Sequence, residues 1–290
     1  MFIHFGYEIA YEFPAPTPAV LMLHLRPDLA PRLSAAERLV TEPALAREEF
    51  LDSFGNRCTR LLAPAGPLGL TCEGVIVDSG DPSPAAPEAR EHPVAELPAE
   101  VLPFLLPSRY CEVELLGPLA WSLFGGLSPG WKRVQAVCDW VHQYLRFDYP
   151  SARATRTAHD AYEERTGVCR DFTHLAITLC RCLNIPARYA TGYLGDIGVP
   201  ADPAPMDFSA WMEVYLGGKW HIFDVRHNVR RIGHLVMAWG RDAADVALTT
   251  TFGPHVLRSF SVITREIPSG LICAGDPERT QAILARSTAA

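Results

Sequence analysis

Residues Thr166 to Cys180 read TGVCRDFTHLAITLC. Gly167 opens a loop, and an apolar stripe then begins. Phe172, Leu175, Ala176, Leu179, Cys180 and Leu183 step by 3, 1, 3, 1, 3, the period of an amphipathic helix. NIP, with Pro186, ends it, because proline cannot continue a helix. Cys169 thus falls in the first turn, where free backbone N–H groups and the positive end of the helix dipole favour a thiolate. A thiolate is the nucleophile that acyl transfer needs. The alternative for Cys169 is a core cysteine at a helix start. The other cysteines are Cys58, Cys72, Cys111, Cys138, Cys180, Cys182 and Cys273. Cys138 and Cys180 lie on apolar stripes and are core thiols by position. Cys182 lies off its stripe, without an assigned role.

A nucleophilic cysteine needs an imidazole to take its proton and return it to the leaving group. His174 is five residues on, about 140° around the helix and ~7.5 Å along it. It falls with Arg170, Thr178 and Arg181 on the polar face, which makes it a poor base and a structural or surface residue.

Outward from this helix the chain divides. The first 78 residues read as β, in FIHFGYEIAYEF, AVLMLHL, RCTRLLA and LTCEGVIVD, separated by loop signals such as SFGN and PAGPLG. Residues 79–107 carry Pro82, Pro84, Pro87, Pro93, Pro98, Pro103 and Pro107, which preclude a regular helix or central strand. A connector and a domain boundary belong there. Residues 108–270 form the second unit. In it Trp131, Val134, Cys138, Val141 and Leu145 mark a further amphipathic helix. The strands ARYATGYL, SAWMEVYL and KWHIFDV follow, the last two joined at Gly217-Gly218 as a hairpin. VLRSFSVITREI is a later strand, expected with this unit, and 271–290 a tail that frays from Pro277.

The 290 residues include 26 basic and 33 acidic side chains, a formal net charge of −7, which argues against nucleic acid and anionic membrane surfaces as partners. Lys132 and Lys219 are the sole lysines, which reflects base composition rather than a functional arginine surface. The N-terminus carries no signal-peptide pattern, and no stretch is apolar enough to span a bilayer. The cysteines make no CxxC pair, and CRC at 180–182 is too tight for ordinary zinc spacing. A reduced, cytoplasmic protein is expected, without cofactor or metal, since no phosphate loop or ligand set is visible.

TGVCRDFTHLAITLCRCLNIPARYATGYL followed by MDFSAWMEVYLGGKWHIFDV resembles the bacterial transglutaminase-like family within the papain-like group. The family pattern is a GVCRD-[FY]-x-HL helix start, then D-x-H-A-W, then W-x-x-F-D, and the similarity covers roughly Ser108 to Asn228. DSFGN in the N-terminal β region and GRDAADVALTTTFG after the core also resemble family sequence. The resemblance implies an α+β fold, an N-terminal all-β domain before a core whose cysteine-bearing helix packs on an antiparallel sheet. It implies a Cys–His–Asp triad with Cys169 as nucleophile and Asp224 as the acid orienting the imidazole. The histidine position holds Ser209, since D-x-H-A-W stands as DFSAW.

Hairpin geometry agrees. With Gly217-Gly218 as the turn, Trp211 faces Asp224 and Ser209 faces Arg226, so Ser209 is diagonal to Asp224 on one face. His221 and His227 then point to the opposite face. His227 is close enough to the strand end, where alternation can fail, to swing back. Serine is no base near neutral pH, although it can hydrogen-bond Asp224 or hold a water; Asp207 is a further candidate base. Two functions are consistent with these residues. One is a cysteine-dependent acyl transferase, amidase or peptidase acting on a protein or peptide with a displaced base. The other is an inactive relative using the cleft as a peptide-binding or scaffold module. An inert β/α protein is the third and blandest.

Overall fold

The computed structural model describes residues 1–35 and 37–267. The expected tail from residue 271, with Cys273, lies outside them. The strands of the first half are β1 (Phe2–Phe13), β2 (Thr17–Leu21), β3 (Leu33–Ala35), β4 (Val40–Glu42), β5 (Arg47–Leu51), β6 (Arg57–Ala63) and β7 (Gly66–Val77). Alternation sets their faces. In β1, Ile3, Phe5, Tyr7, Ile9, Tyr11 and Phe13 all point inward and are buried. The second half contains α1 (Val113–Phe124), α2 (Trp131–Tyr144), β8 (Arg146–Phe147), α3 (Ala158–Glu164), β9 (Thr166–Gly167) and α4 (Cys169–Cys182). It continues with β10 (Ala187–Tyr193), β11 (Ser209–Leu216), β12 (Lys219–Phe223), β13 (Leu235–Gly240), β14 (Thr249–Thr251) and β15 (Val256–Ile267).

The fold is α+β. β12, β11, β10 and β13 form, in that order, an antiparallel four-stranded sheet, and α4 lies on it against β10 and β11. α1, α2 and α3 surround α4, which is why its expected polar face is not at the surface: every residue from Asp171 to Cys182 is buried. Of the two roles open to His174, structural or surface, the structural one holds. It is fully buried, stacked on Tyr110, and its Nε2 accepts from the Ala243 N–H at 3.1 Å. Arg181 stays inside because its guanidinium donates to the carbonyls of Ala187, Leu106 and Arg241 and to Ser108 Oγ.

The N-terminal strands build two sheets. One runs β15-β1-β7-β3 with β4 also on β7, and the other β14-β2-β6-β5. The last strand thus departs from expectation. β15 leaves the core sheet and pairs antiparallel with β1 along its length, with a register shift at Ala10/Tyr11. Val262 and Ile267 are buried there, in separate apolar clusters on the two faces of the sheet. Residues 79–107 contain two short 3-10 turns, Val94–Glu96 and Leu102–Leu105, and otherwise run irregularly over the core. The Ala89 carbonyl accepts from Trp131 N–H, the Arg90 carbonyl from Gly217 N–H, and Glu91 pairs with Arg133.

The DSFGN motif joins the halves. Asp52 Oδ1 accepts from the Phe54 and Asn56 N–H groups at 2.8 Å each, which closes the loop. Buried Asn56 then binds the Trp239 backbone in β13 both ways, Nδ2 donating to its carbonyl at 2.8 Å and Oδ1 accepting from its N–H at 3.0 Å. One apolar cluster spans both halves, combining β1 and β2 side chains with Tyr193, Phe208, Leu235 and Met237.

Candidate active site

Cys169 is the first residue of α4 and is half-buried. Asp171 fixes the helix start. Its Oδ2 accepts from the Val168 N–H at 3.0 Å and from Arg156 Nη1 at 3.0 Å, and both side chains are buried. The expected thiolate bias does not prevail. Burial pushes the Cys169 thiol up to about 11, helped by the charge of Asp207, while the backbone N–H groups of Ala210 and Arg170 pull the other way. Desolvation of a sulfur anion and a nearby carboxylate thus oppose the helix terminus at this thiol.

Asp207 is itself pushed above the usual carboxylate range by burial, against the opposing hydrogen bond it accepts from the Phe208 N–H at 2.6 Å. Ser209 begins β11 on the same cleft as Cys169. Among the described residues no hydrogen bond joins its hydroxyl to Asp224.

The hairpin follows the expected register from Leu216↔Lys219 to Met212↔Phe223. Beyond Phe223 the strand ends and the chain turns. The Asn228 N–H donates to the Asp224 carbonyl at 2.8 Å, and Asn228 takes φ 53°, a left-handed conformation that asparagine tolerates. Gln135 and Asp139 of α2 hold the Asn228 amide. This turn swings His227 back, which corrects its expected place on the opposite face. Asp224 Oδ1 accepts from the His227 N–H at 3.0 Å, and Oδ2 lies 2.7 Å from His227 Nδ1. The Asp224 side chain is 2 % exposed and that of His227 29 %. An ionised carboxylate only accepts, so Nδ1 carries the proton and Nε2 presents a lone pair. Burial alone would raise the Asp224 carboxyl, but His227, with His234 assisting, holds it well below the usual range. His234 Nε2 is 3.9 Å from Oδ2, beyond hydrogen-bond reach, so the His227 contact is the decisive one. Among the described residues no group of three or more His, Cys, Asp or Glu is placed to hold a metal ion.

Cys169, Ser209 and His227 line one cleft of about 230 Å³, with Asp207, Arg226 and Arg231 on its walls and Asp224 behind His227. Arg231 is paired with Asp196 at 3.1 Å, and the Arg226 guanidinium covers the Phe147 ring at 3.7 Å. The sequence signal for His227 is the D-x-x-H-N string after a strand, in which Asp and Asn form the turn.

The site thus combines a cysteine at the N-terminus of a helix packed on an antiparallel sheet with a His–Asp pair whose imidazole lines the same cleft. The Transglutaminase-like superfamily pattern matches residues 119–225. The crystal structure of a candidate cysteine protease from Cytophaga hutchinsonii superposes with a TM-score of 0.80 at 31 % identity, covering 93 % of this chain and 91 % of that one. An uncharacterised protein of Mycobacterium leprae is 28 % identical over 219 residues, 72 % of this chain and 77 % of its own length. The periplasmic domain of TgpA from Pseudomonas aeruginosa is a remote similarity, with 14 % identity and a TM-score of 0.38 over 77 % of this chain and 90 % of that one. The chain belongs to the transglutaminase-like superfamily.

Proposed function

We propose that the protein is a cysteine-dependent acyl transferase or amide hydrolase acting on peptides or proteins. In this reading His227, rather than the residue at 209, partners Cys169. The observation that carries it is the 2.7 Å contact between His227 Nδ1 and Asp224 Oδ2, with the imidazole lining the cleft that holds Cys169. Asp224 keeps Nδ1 protonated and stabilises the imidazolium that forms when Nε2 takes a proton. The neutral Cys169 thiol gives that proton as Sγ bonds to the substrate carbonyl carbon. The C–N bond then breaks, and the imidazolium proton leaves with the amine. Water, or a second amine, gives a proton to Nε2, attacks the thioester carbon and releases Sγ, which recovers its proton from the imidazolium. Ser209 leaves the space beside Cys169 open for substrate. A cytoplasmic location is part of the same proposal, in keeping with cysteines that form no regular ladder in the sequence.

A second reading is favoured by the raised thiol: a peptide-binding module that has lost turnover. Hydrolysis of p-nitrophenyl esters and of a peptide amide library by the parent, Cys169→Ala and His227→Ala separates the two. The enzyme reading expects turnover abolished in Cys169→Ala and lowered roughly 10²–10⁴-fold in His227→Ala. Peptide binding by the parent without any turnover would establish the module instead.

A further inference from the structure

Cys169 lies between two unlike spaces. The polar cleft with His227 lies on one side. On the other is a groove of about 600 Å³ that shares Cys169, Asp207, Phe208 and Ser209 with that cleft and lacks His227. Its far wall comes from the N-terminal β unit and the returning strand: Ile9 and Tyr11 of β1, and Leu257 and Phe260 of β15. Tyr189 and Val246 of the core close it. Leu257 is 51 % exposed and Phe260 37 %, so this wall presents apolar surface to an occupant. Asp207 at the shared floor is the sole acidic residue of the lining. The two arginines at the rim are occupied, Arg153 by Glu164 and Asp160 and Arg170 by Asp171.

The position of the imidazole orients the substrate. The group that protonates a leaving amine must be within hydrogen-bond reach of it, so the leaving amine departs on the His227 side. The acyl part of the substrate then projects the other way. We infer that the groove is the acyl-side specificity site, and that it takes acyl donors with a bulky apolar side chain, aromatic or branched aliphatic, beside the scissile carbonyl. This rests on the assignment of His227 as the partner of Cys169. Leu257 and Phe260 are specificity residues contributed by a strand that belongs to the other sheet. A groove of this volume is in the range that encloses a small ligand or side chain.

The test uses activated esters, whose leaving group needs no protonation, so that acylation is read even where turnover fails. Cys169 Sγ bonds to the acyl carbon, the C–O bond to p-nitrophenolate breaks, and the thiol proton passes to solvent. Second-order acylation rates are measured by mass spectrometry for p-nitrophenyl 3-phenylpropanoate and p-nitrophenyl acetate, each normalised to free cysteine. The expected preference for the phenylpropanoyl ester is about tenfold or more, the scale of a filled apolar pocket. Leu257→Asn and Phe260→Asn should bring the ratio of the two rates to within about twofold, with the far-UV circular dichroism and urea midpoint of each variant reporting an intact fold. Equal normalised rates in the parent, or a preference that survives both substitutions, would overturn the inference. A preference with a thioester that never clears would sustain the groove and sink the hydrolytic reading. Turnover dependent on His227 without any preference would do the reverse.

Discussion

The acidity of Cys169 is set by burial and by neighbours with opposing effects, Asp171 adding a smaller push upward. Burial and Asp207 raise it, the backbone donors of Ala210 and Arg170 lower it, and the balance sits at about 11. Asp207→Asn removes a charge without changing shape. Its alkylation by iodoacetamide, mapped to Cys169 with Cys138 and Cys180 as buried controls, should titrate at a lower pH than in the parent and run severalfold faster at pH 8. An unchanged midpoint would show that burial alone sets the value. At this scale the sequence placed Cys169 at a helix start and Asp224 at the end of a strand, where the structure has them. Alternation put His227 on the opposite face, with a swing back at the strand end left open, and the structure takes the swing. The turn that redirects it depends on side chain to backbone bonds made by Asp224, which the strand pattern does not report.

The start of α4 is an element held by one buried ion pair. Asp171 is 0 % exposed and Arg156 2 %, and the same carboxylate caps the helix through Val168. Asp171→Ala removes the cap and one of the two carboxylates on Arg156, whose Nε keeps Glu164 at 3.0 Å, at a cost of ~2–3 kcal/mol. Urea unfolding should show this as a lower midpoint at similar slope, and a loss under 1 kcal/mol would mean that Glu164, already paired with Arg156, holds the helix start without Asp171. The apolar stripes of α2 and α4 were legible because their period is helical. That α4 is buried all round was not, since Thr178, His174 and Arg181 look like a solvated face until their partners are known. β13, LVMAWG, escaped for a different reason. A continuous apolar run does not separate a fully buried strand from a helix segment.

At the scale of the molecule, the two halves share a core and are joined by Asn56, so one cooperative unfolding transition is expected in calorimetry. Asn56→Ala leaves the Trp239 N–H and carbonyl without their partner inside the junction. It should cost about 2–3 kcal/mol or split the transition in two; a single transition at the parental temperature would contradict this. Acid sensitivity is also global. The folded Asp224 carboxyl is depressed, so its contribution to stability is present above its unfolded value near ~4 and is lost as pH falls below that toward the folded value. The stability deficit of Asp224→Asn should therefore be largest at neutral pH and shrink below pH ~4 in urea titrations. A deficit independent of pH would assign the effect to packing. The β character of the first 78 residues was legible from alternation, whereas the return of β15 to β1 was not, because strand partners distant in sequence leave no local mark.

Whether His227 serves Cys169 is read most directly from the clearance of the acyl-enzyme. Protein pulsed with p-nitrophenyl 3-phenylpropanoate at pH 7 is followed by mass spectrometry as the Cys169 thioester decays. The parent should clear the adduct, and His227→Ala should form it yet hold it roughly 10²-fold longer or more, because water attack on the thioester loses its base. Equal clearance by the two proteins would contradict the account and remove His227 from the site's chemistry.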